Sequence, residues 1–460
     1  MYCKFPSLYI RTAILFAFWA GVSMGTHVAF TIGFDFPLGK GAFAYIQTHG
    51  YLQLMGWVGL FIMGISFVIL SRLAHFNHFR ESYIKLIYIL MVSGLIIRFI
   101  SHSLLPYLTG FWYLIMGGSI IISSILVLLA IIIYILFLLS ILFHTSPIIK
   151  VPNRDIRYFL IMNIFGWIIY GLANVILLST MVNNGQIFLP RGINLFLVDL
   201  FIHFTIFPIF IALGLRALPL FLKLKKVDWN ARNFSIIYLI IVSIYFILKA
   251  INLLNDDIIL INETYLLAII KDLIIAWFIF KLNILFRDYK LNNRISKNIS
   301  CSKKEEFKIF FSDYGKLGHF ELFIQSAFIW LSIGLFLDIL LHVMLIQKIQ
   351  IDIGIDGIRH MWLTGFTSLL IIGMSIRMIP GMTGTMKLKH PDRVIWLVRI
   401  INFSILFRTI YLVIPESILL SIPSIGIIAL RLFGLSGILF MFGLLVFYYL
   451  MAPILNNNLD

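Results

Sequence analysis

The sequence predicts an all-α, polytopic membrane protein with about twelve transmembrane helices and both termini in the cytoplasm. Three observations predict it. Of the 460 residues, 61% are hydrophobic and only 12% are charged, well outside the range of soluble domains. The apolar residues form continuous runs of the length a helix needs to cross a bilayer, roughly 20 residues, without the two-residue alternation of a membrane β-barrel. Finally, Lys and Arg gather in every second connection, the asymmetry that orients membrane helices.

Taken in order, the spans are Leu8–Ile32, Ala44–Leu70, Tyr83–Leu104, Phe111–Ser140, Tyr158–Met181, Asn194–Phe221, Phe234–Leu254, Ile258–Phe286, Phe320–Ile346, Ile358–Pro380, Val394–Val413 and Ile427–Met451. Span 1 follows Lys4 and Arg11, but its run is longer than a signal-peptide core and lacks a small-residue cleavage site. Span 2 opens on a buried His and Gln. Span 4 is long enough to tilt or to extend beyond the bilayer. Span 6 runs from His203 to Arg216-Ala-Leu-Pro219. Span 8 carries Lys271 and Asp272 near its middle; as neighbours on a helix they point in different directions and need not pair. Between spans 8 and 9 lies a basic loop, Arg287–Gly318, expected in the cytoplasm. No soluble domain interrupts the series, so residues 1–460 form a single integral-membrane domain.

The net charge of +16 raises the question of nucleic acid, and its distribution answers it. Of the Lys and Arg in the loops and at the span edges, 23 fall on the side of the termini, and only Lys40, Arg191, Lys348 and Arg359 on the other. The positive charge serves topology and contact with the anionic headgroups of the lipid bilayer, and no nucleic-acid partner is expected. Cys3 and Cys301, the only cysteines, both fall on the cytoplasmic side, so no disulfide framework is expected.

With this topology six histidines, His27, His49, His102, His203, His342 and His360, reach one depth in the outer half of the membrane. Odd spans 1, 3 and 9 bring theirs near the C-terminal end; even spans 2, 6 and 10 bring theirs near the N-terminal end. A shared depth is what a common metal or haem site needs. Asp199, Asp338 and Asp356 each precede a histidine by four residues, on the same helix face, where a carboxylate can accept the second ring N–H and fix the tautomer. Gln53 follows His49 at the same spacing. Set against this, a lone His in a membrane helix is commonly a packing or hydrogen-bonding residue; three recurrences of one local pattern argue for more. Arg359, Arg408 and Arg431 can each neutralise a haem propionate or anchor the chain to lipid. Gly56, Gly64, Gly365 and Gly373 allow close helix approach. Trp57 and Trp362 read as packing residues.

The stretch Thr48-His49-Gly-Tyr-Leu-Gln53-Leu-Met-Gly56-Trp57 through Gly64 resembles the NnrS family. So do His203 with Gly214-Leu-Arg216-Ala-Leu-Pro219, and Arg359-His360 with Gly373-Met-Ser-Ile-Arg377-Met-Ile-Pro380-Gly381. The resemblance implies a bacterial inner-membrane, multi-pass protein that holds haem b and copper and acts in nitric oxide metabolism or resistance to nitrosative stress, often alongside denitrification. The sequence departs from that pattern at Ser71, where a Pro is common, and at Val68, where relatives often carry another His, which weakens the copper ligand set. Span 2 also loosely resembles the haem-binding second helix of haem–copper oxidases and nitric oxide reductases. Their adjacent His-His pair is not in the sequence, which argues against a conventional catalytic subunit of that kind.

The expected site is therefore His49 with His203 or His360 on a haem iron, Arg359 beside it, His27, His102 and His342 as further metal ligands, and Asp199, Asp338, Asp356 and Gln53 behind them. Nitric oxide is the expected ligand; no residue pattern names a catalytic group or an electron donor. The competing expectation is a secondary transporter whose polar residues on spans 6, 8 and 9 line a substrate or proton path.

Overall fold

The computed structural model describes residues 4–74, 79–143, 152–224, 227–254, 260–285, 316–349, 353–383 and 388–456. Twelve long helices account for most of them: α1 Pro6–Gly33, α2 Ala42–Arg72, α3 Glu81–Tyr107, α4 Gly110–Phe143, α5 Arg157–Asn183, α6 Arg191–Phe221, α7 Ala231–Leu254, α8 Ile261–Leu282, α9 Phe320–Ile346, α10 Ile355–Thr383, α11 Arg393–Val413 and α12 Pro423–Leu455. Among the described residues there is no strand, as the need to satisfy every backbone group inside lipid requires. Eleven of these helices are long and apolar enough to cross a membrane. The twelfth, α8, is long enough at 22 residues, but Glu263, Lys271, Asp272 and Lys281 keep it from being plainly apolar. It packs between α7 and α9 and turns Lys271 and Asp272 inward, both fully buried. The basic loop lies outside the described residues except for 316–318, as do His75, His78 and His144.

The helices form a ring with three members inside it. Neighbours around the ring are α1, α3, α4, α5, α7, α8, α9, α11 and α12, with α12 closing back on α1. Enclosed by it are α2, α6 and α10. In their most apolar stretches 89, 78 and 72% of the residues are buried, against 33–50% in the other membrane-length helices. These are the three helices that carry the His-led motifs. They recur every fourth span, so the chain reads as three units of four helices, each sending its second helix inward. The ring turns large apolar side chains outward, among them Trp19, Phe111, Ile176, Phe280, Phe336 and Trp396, the surface that lipid accepts.

Glycines seat α2 and α10 on the helix before each. A Cβ on Gly64 would come within 2.7 Å of Tyr9 Cβ on α1, and one on Gly56 within 3.0 Å of Phe16 Cβ. On α10, Gly365 and Gly373 meet Trp330 Cβ and Phe323 Cβ of α9, each at 2.7 Å. Small residues let helix backbones approach, which is how helices associate where lipid removes the hydrophobic driving force.

Among the described residues four helices widen into π turns, each beside a histidine or its contacts. Wider π-helical turns occupy Phe16–Val22 in α1, Leu52–Gly59 in α2, Ile202–Ile206 in α6 and Met361–Ser368 in α10. In α2 the π segment begins three residues after His49; in α6 it contains His203; in α10 it begins directly after His360. Such segments are uncommon and concentrate at functional sites. Thr367 and Ser368 donate their hydroxyls to the carbonyls five residues back, Trp362 and Leu363, which ties the wider turn to side chains that suit it.

Candidate functional site

A cavity of about 180 Å³ opens where the N-terminal ends of α2, α6 and α10 meet the later halves of α1 and α11 and the middle of α12. One water needs roughly 10–15 Å³ by the same measure, so this is a ligand space and not a packing defect. Its 22 lining residues include His49, Gln53, Asp356, Arg359, His360 and Arg408; most of the remainder is apolar.

His49 and His360 both face this cavity, from α2 and α10. Each is tied back by the ring nitrogen nearer the backbone: His49 Nδ1 donates to Gly21 O at 2.7 Å, and His360 Nδ1 to Asp356 O at 2.7 Å. Gly21 lies in the π segment of α1. A neutral imidazole that donates from Nδ1 keeps an unprotonated Nε2. Among the described residues neither Nε2 has a hydrogen-bond acceptor or donor opposite it. Two imidazoles with fixed tautomer thus offer lone pairs to one space. Gly25 makes this possible for His49: a Cβ there would sit 2.5 Å from His49 Cε1. Gln53 lines the cavity one turn further along α2, packed on Gly21 where a Cβ would strike its amide.

The carboxylates behind the histidines take a different role from the one their spacing suggests. His203 Nδ1 donates to Asp199 O at 2.8 Å and His342 Nδ1 to Asp338 O at 2.7 Å, as His360 does to Asp356 O. In all three pairs the backbone carbonyl fixes the ring, because an i−4 carbonyl is the acceptor a helix brings nearest. The carboxylates turn to cations. Asp199 accepts Arg359 Nε at 2.7 Å and Nη2 at 2.8 Å, and Lys249 Nζ at 2.7 Å. Asp356 takes Arg191 Nη2 at 3.0 Å and Arg359 Nη1 at 3.4 Å. The Arg359 fork is therefore spent on aspartates, although the side chain lines the cavity. Arg408 makes one long bond to Gly25 O, at 3.4 Å, and lies over the Phe433 ring, which leaves it better placed to meet an anionic group. Arg431 pairs instead with Asp35 at 2.8 Å.

His203 does not join His49 and His360. Its Nε2 accepts Lys271 Nζ at 3.0 Å, and its ring stands edge-on to Trp362 at 5.5 Å. Lys271 pairs with Asp272, the neighbour that helix geometry alone would keep apart, because its long side chain bends back to Oδ1. Lys271 Nζ also lies 3.8 Å from Asp338 Oδ2, and Asp338 Oδ1 lies 3.6 Å from His342 Nδ1. Lys249, Lys271 and Arg359 thus face Asp199, Asp272 and Asp338, three basic side chains among three carboxyl groups, in a cluster to which each helix from α6 to α10 contributes. His342 sits at its far end against Tyr265, at 5.6 Å. His102 is bonded at both nitrogens, to Thr48 Oγ1 at 2.9 Å and Ile187 O at 3.2 Å. His27 is exposed on α1 beside Tyr45.

Of the six histidines, then, two share the cavity, two belong to the charge cluster and two stand apart. Among the described residues no three His, Cys, Asp or Glu side chains converge to hold a metal ion. Lys249 is the contributor the sequence conceals: near the end of an apolar span it looks like any lysine reaching for the membrane surface, and only its i,i+4 spacing from Tyr245, whose hydroxyl it meets at 3.1 Å, hints otherwise. Fold and site together define a polytopic helical membrane protein with a histidine-lined cavity between its three inner helices and α1, α11 and α12. Compared with known families and with curated proteins, the chain matches no family model and no curated protein.

Proposed function

We propose that this is a haem-binding protein of a bacterial inner membrane, acting in nitric oxide metabolism or resistance to nitrosative stress. The carrying observation is the pair His49 and His360, each locked by a carbonyl at Nδ1 and presenting Nε2 to one cavity. A haem brings four nitrogens of its own and asks the protein for one or two more, so two imidazoles suffice. The apolar lining suits the macrocycle, and Arg408 suits a propionate. For copper, the second group the NnrS resemblance implies, the described residues bring together no three His, Cys, Asp or Glu side chains. Haem iron would supply a centre able to bind nitric oxide. The chain's own part is to hold the two rings in one tautomer, to set Arg359 and Arg408 beside them, and to keep water out with Leu54, Leu363 and Phe440.

The Lys and Arg asymmetry supports cytoplasmic termini, which would put the cavity in the outer half of the bilayer. The test is the absorption spectrum of the purified protein, oxidised and reduced, with metal analysis. A haem band that is lost in His49→Ala and in His360→Ala but kept in His203→Ala and His102→Ala supports the proposal. A colourless, iron-free preparation from haem-replete cells overturns it.

One observation favours a second function, a proton-coupled secondary transporter. The buried cluster of Lys271, Asp272, Asp338 and His342 joins titratable groups on α8 and α9, and such groups inside a membrane mark proton paths. Under that alternative, Asp338→Asn abolishes solute uptake into proteoliposomes and leaves any pigment untouched.

A further inference from the structure

A second cavity lies beside the first and contains a cation with no counter-charge. It is small, about 30 Å³, and sits between α2, α3, α5 and α6. Gly50, Leu54, Asn194 and Val198 line both cavities, so the two are separated by one thickness of side chains. Into the smaller one projects Arg98 from α3. The residue is 3% exposed, and its Nε and Nη1 are buried without a hydrogen-bond acceptor. No Asp or Glu lines the cavity. The guanidinium lies 5.0 Å from the centre of the Tyr51 ring, a contact that offsets part of the cost of its burial but satisfies no N–H.

An unpaired charge at this depth is among the costliest arrangements a membrane protein can hold. Every other buried cation described above has a carboxylate or a carbonyl. The remaining polar side chains of the lining are all neutral: the NH2 groups of Gln47 and Asn174 already bond to the Leu189 and Tyr170 carbonyls, and the hydroxyls of Tyr51 and Tyr170 and the amide of Asn194 can donate hydrogen bonds. The site thus offers several donors and no anion of its own. We propose that Arg98 binds a small monovalent inorganic anion, of the size of chloride or nitrite. At roughly 10–15 Å³ for one water, the cavity takes an ion of one to a few atoms and excludes a bulky organic acid. Gln47 closes it on one side by clamping the Leu189 backbone, Nε2 to the carbonyl at 2.7 Å and Oε1 from the N–H at 3.0 Å. Arg98 would hold the anion whether or not the larger cavity holds haem.

The experiment uses the full chain purified in detergent, freed of halide by exchange into gluconate. Bromide and nitrite should raise its unfolding temperature in a saturable way, while added gluconate and sulfate, too large or too highly charged, should not. In Arg98→Gln the saturable shift should vanish, with affinity weaker by about tenfold or more, as expected for a lost charge-assisted hydrogen bond. Should Arg98→Gln fail to fold, the comparison of anions on the unaltered protein still decides. Equal effects of all four anions, or bromide binding unchanged in Arg98→Gln, would overturn the assignment.

Discussion

At the scale of single residues, the site depends on which atom a histidine is tied by. Gly25 and Gly50 test this from opposite sides. A methyl group at Gly25 would collide with the His49 ring, which is held to Gly21 and cannot move freely. Gly25→Ala should cost about 1–3 kcal/mol, the usual range for overpacking, and should disturb any ligand His49 holds. Gly50 lines the cavity with nothing within 4 Å of its would-be Cβ; Gly50→Ala should be neutral or gain up to about 1 kcal/mol from helix propensity. Thermal unfolding of the two variants beside the parent reads the difference. Asp199 is a different kind of residue, since it neutralises two cations at once, the buried Arg359 and the partly buried Lys249. Asp199→Asn leaves Arg359 and Lys249 without their carboxylate and should destabilise by about 3–5 kcal/mol, the cost of breaking a buried ion pair from one side. Asp199→Asn together with Lys249→Met should recover part of that loss in chemical denaturation.

At the scale of elements, hydropathy made the helices readable and their interiors unreadable. Eleven spans could be placed because a bilayer demands long apolar runs, while the eighth meets a helix of the right length that four charged residues keep from being plainly apolar; the close-packing glycines of α2 and α10 could be named because small residues at regular spacing mean little else. The four π segments carried no such signal: Leu52–Gly59 and Met361–Ser368 have ordinary compositions, and a one-residue widening leaves the apolar pattern intact. The same blindness explains the carboxylates. Spacing of four puts Asp199 and His203 on one face, but it cannot say that the carbonyl reaches the ring first while the side chain turns to Arg359 from 160 residues away. The π segments carry a prediction of their own. A π turn is an extra residue accommodated within an α-helix, so deleting Thr364 should return Met361–Ser368 to α geometry with both flanks still facing their neighbours. The protein should insert and fold, as judged by a single symmetrical peak in gel filtration. The cavity wall built by Leu363, Thr364 and Ser368 should change, and any pigment or ligand held there should be lost.

At the scale of the molecule, the three-unit plan makes orientation and site placement one question. In each unit the second helix enters the bundle from the side its histidine occupies, so His49, His203 and His360 all lie on the side where α2, α6 and α10 begin. The connection Asn184–Pro190 before α6 is on that side, and the connection around Asp228 after α6 is on the other. If Lys and Arg set the topology as they do in other membrane proteins, the first connection faces outward and the cavity is in the outer half. In a chain with Cys3 and Cys301 replaced by Ser, Asn184→Cys should react with a membrane-impermeant maleimide in intact spheroplasts, and Asp228→Cys should react only after permeabilisation. The opposite pattern would move His49, His360 and Arg98 together to the cytoplasmic half, since packing and not charge holds them at one level. It would then be the cell interior, with its reductants and its own anions, that supplies whatever the two cavities bind.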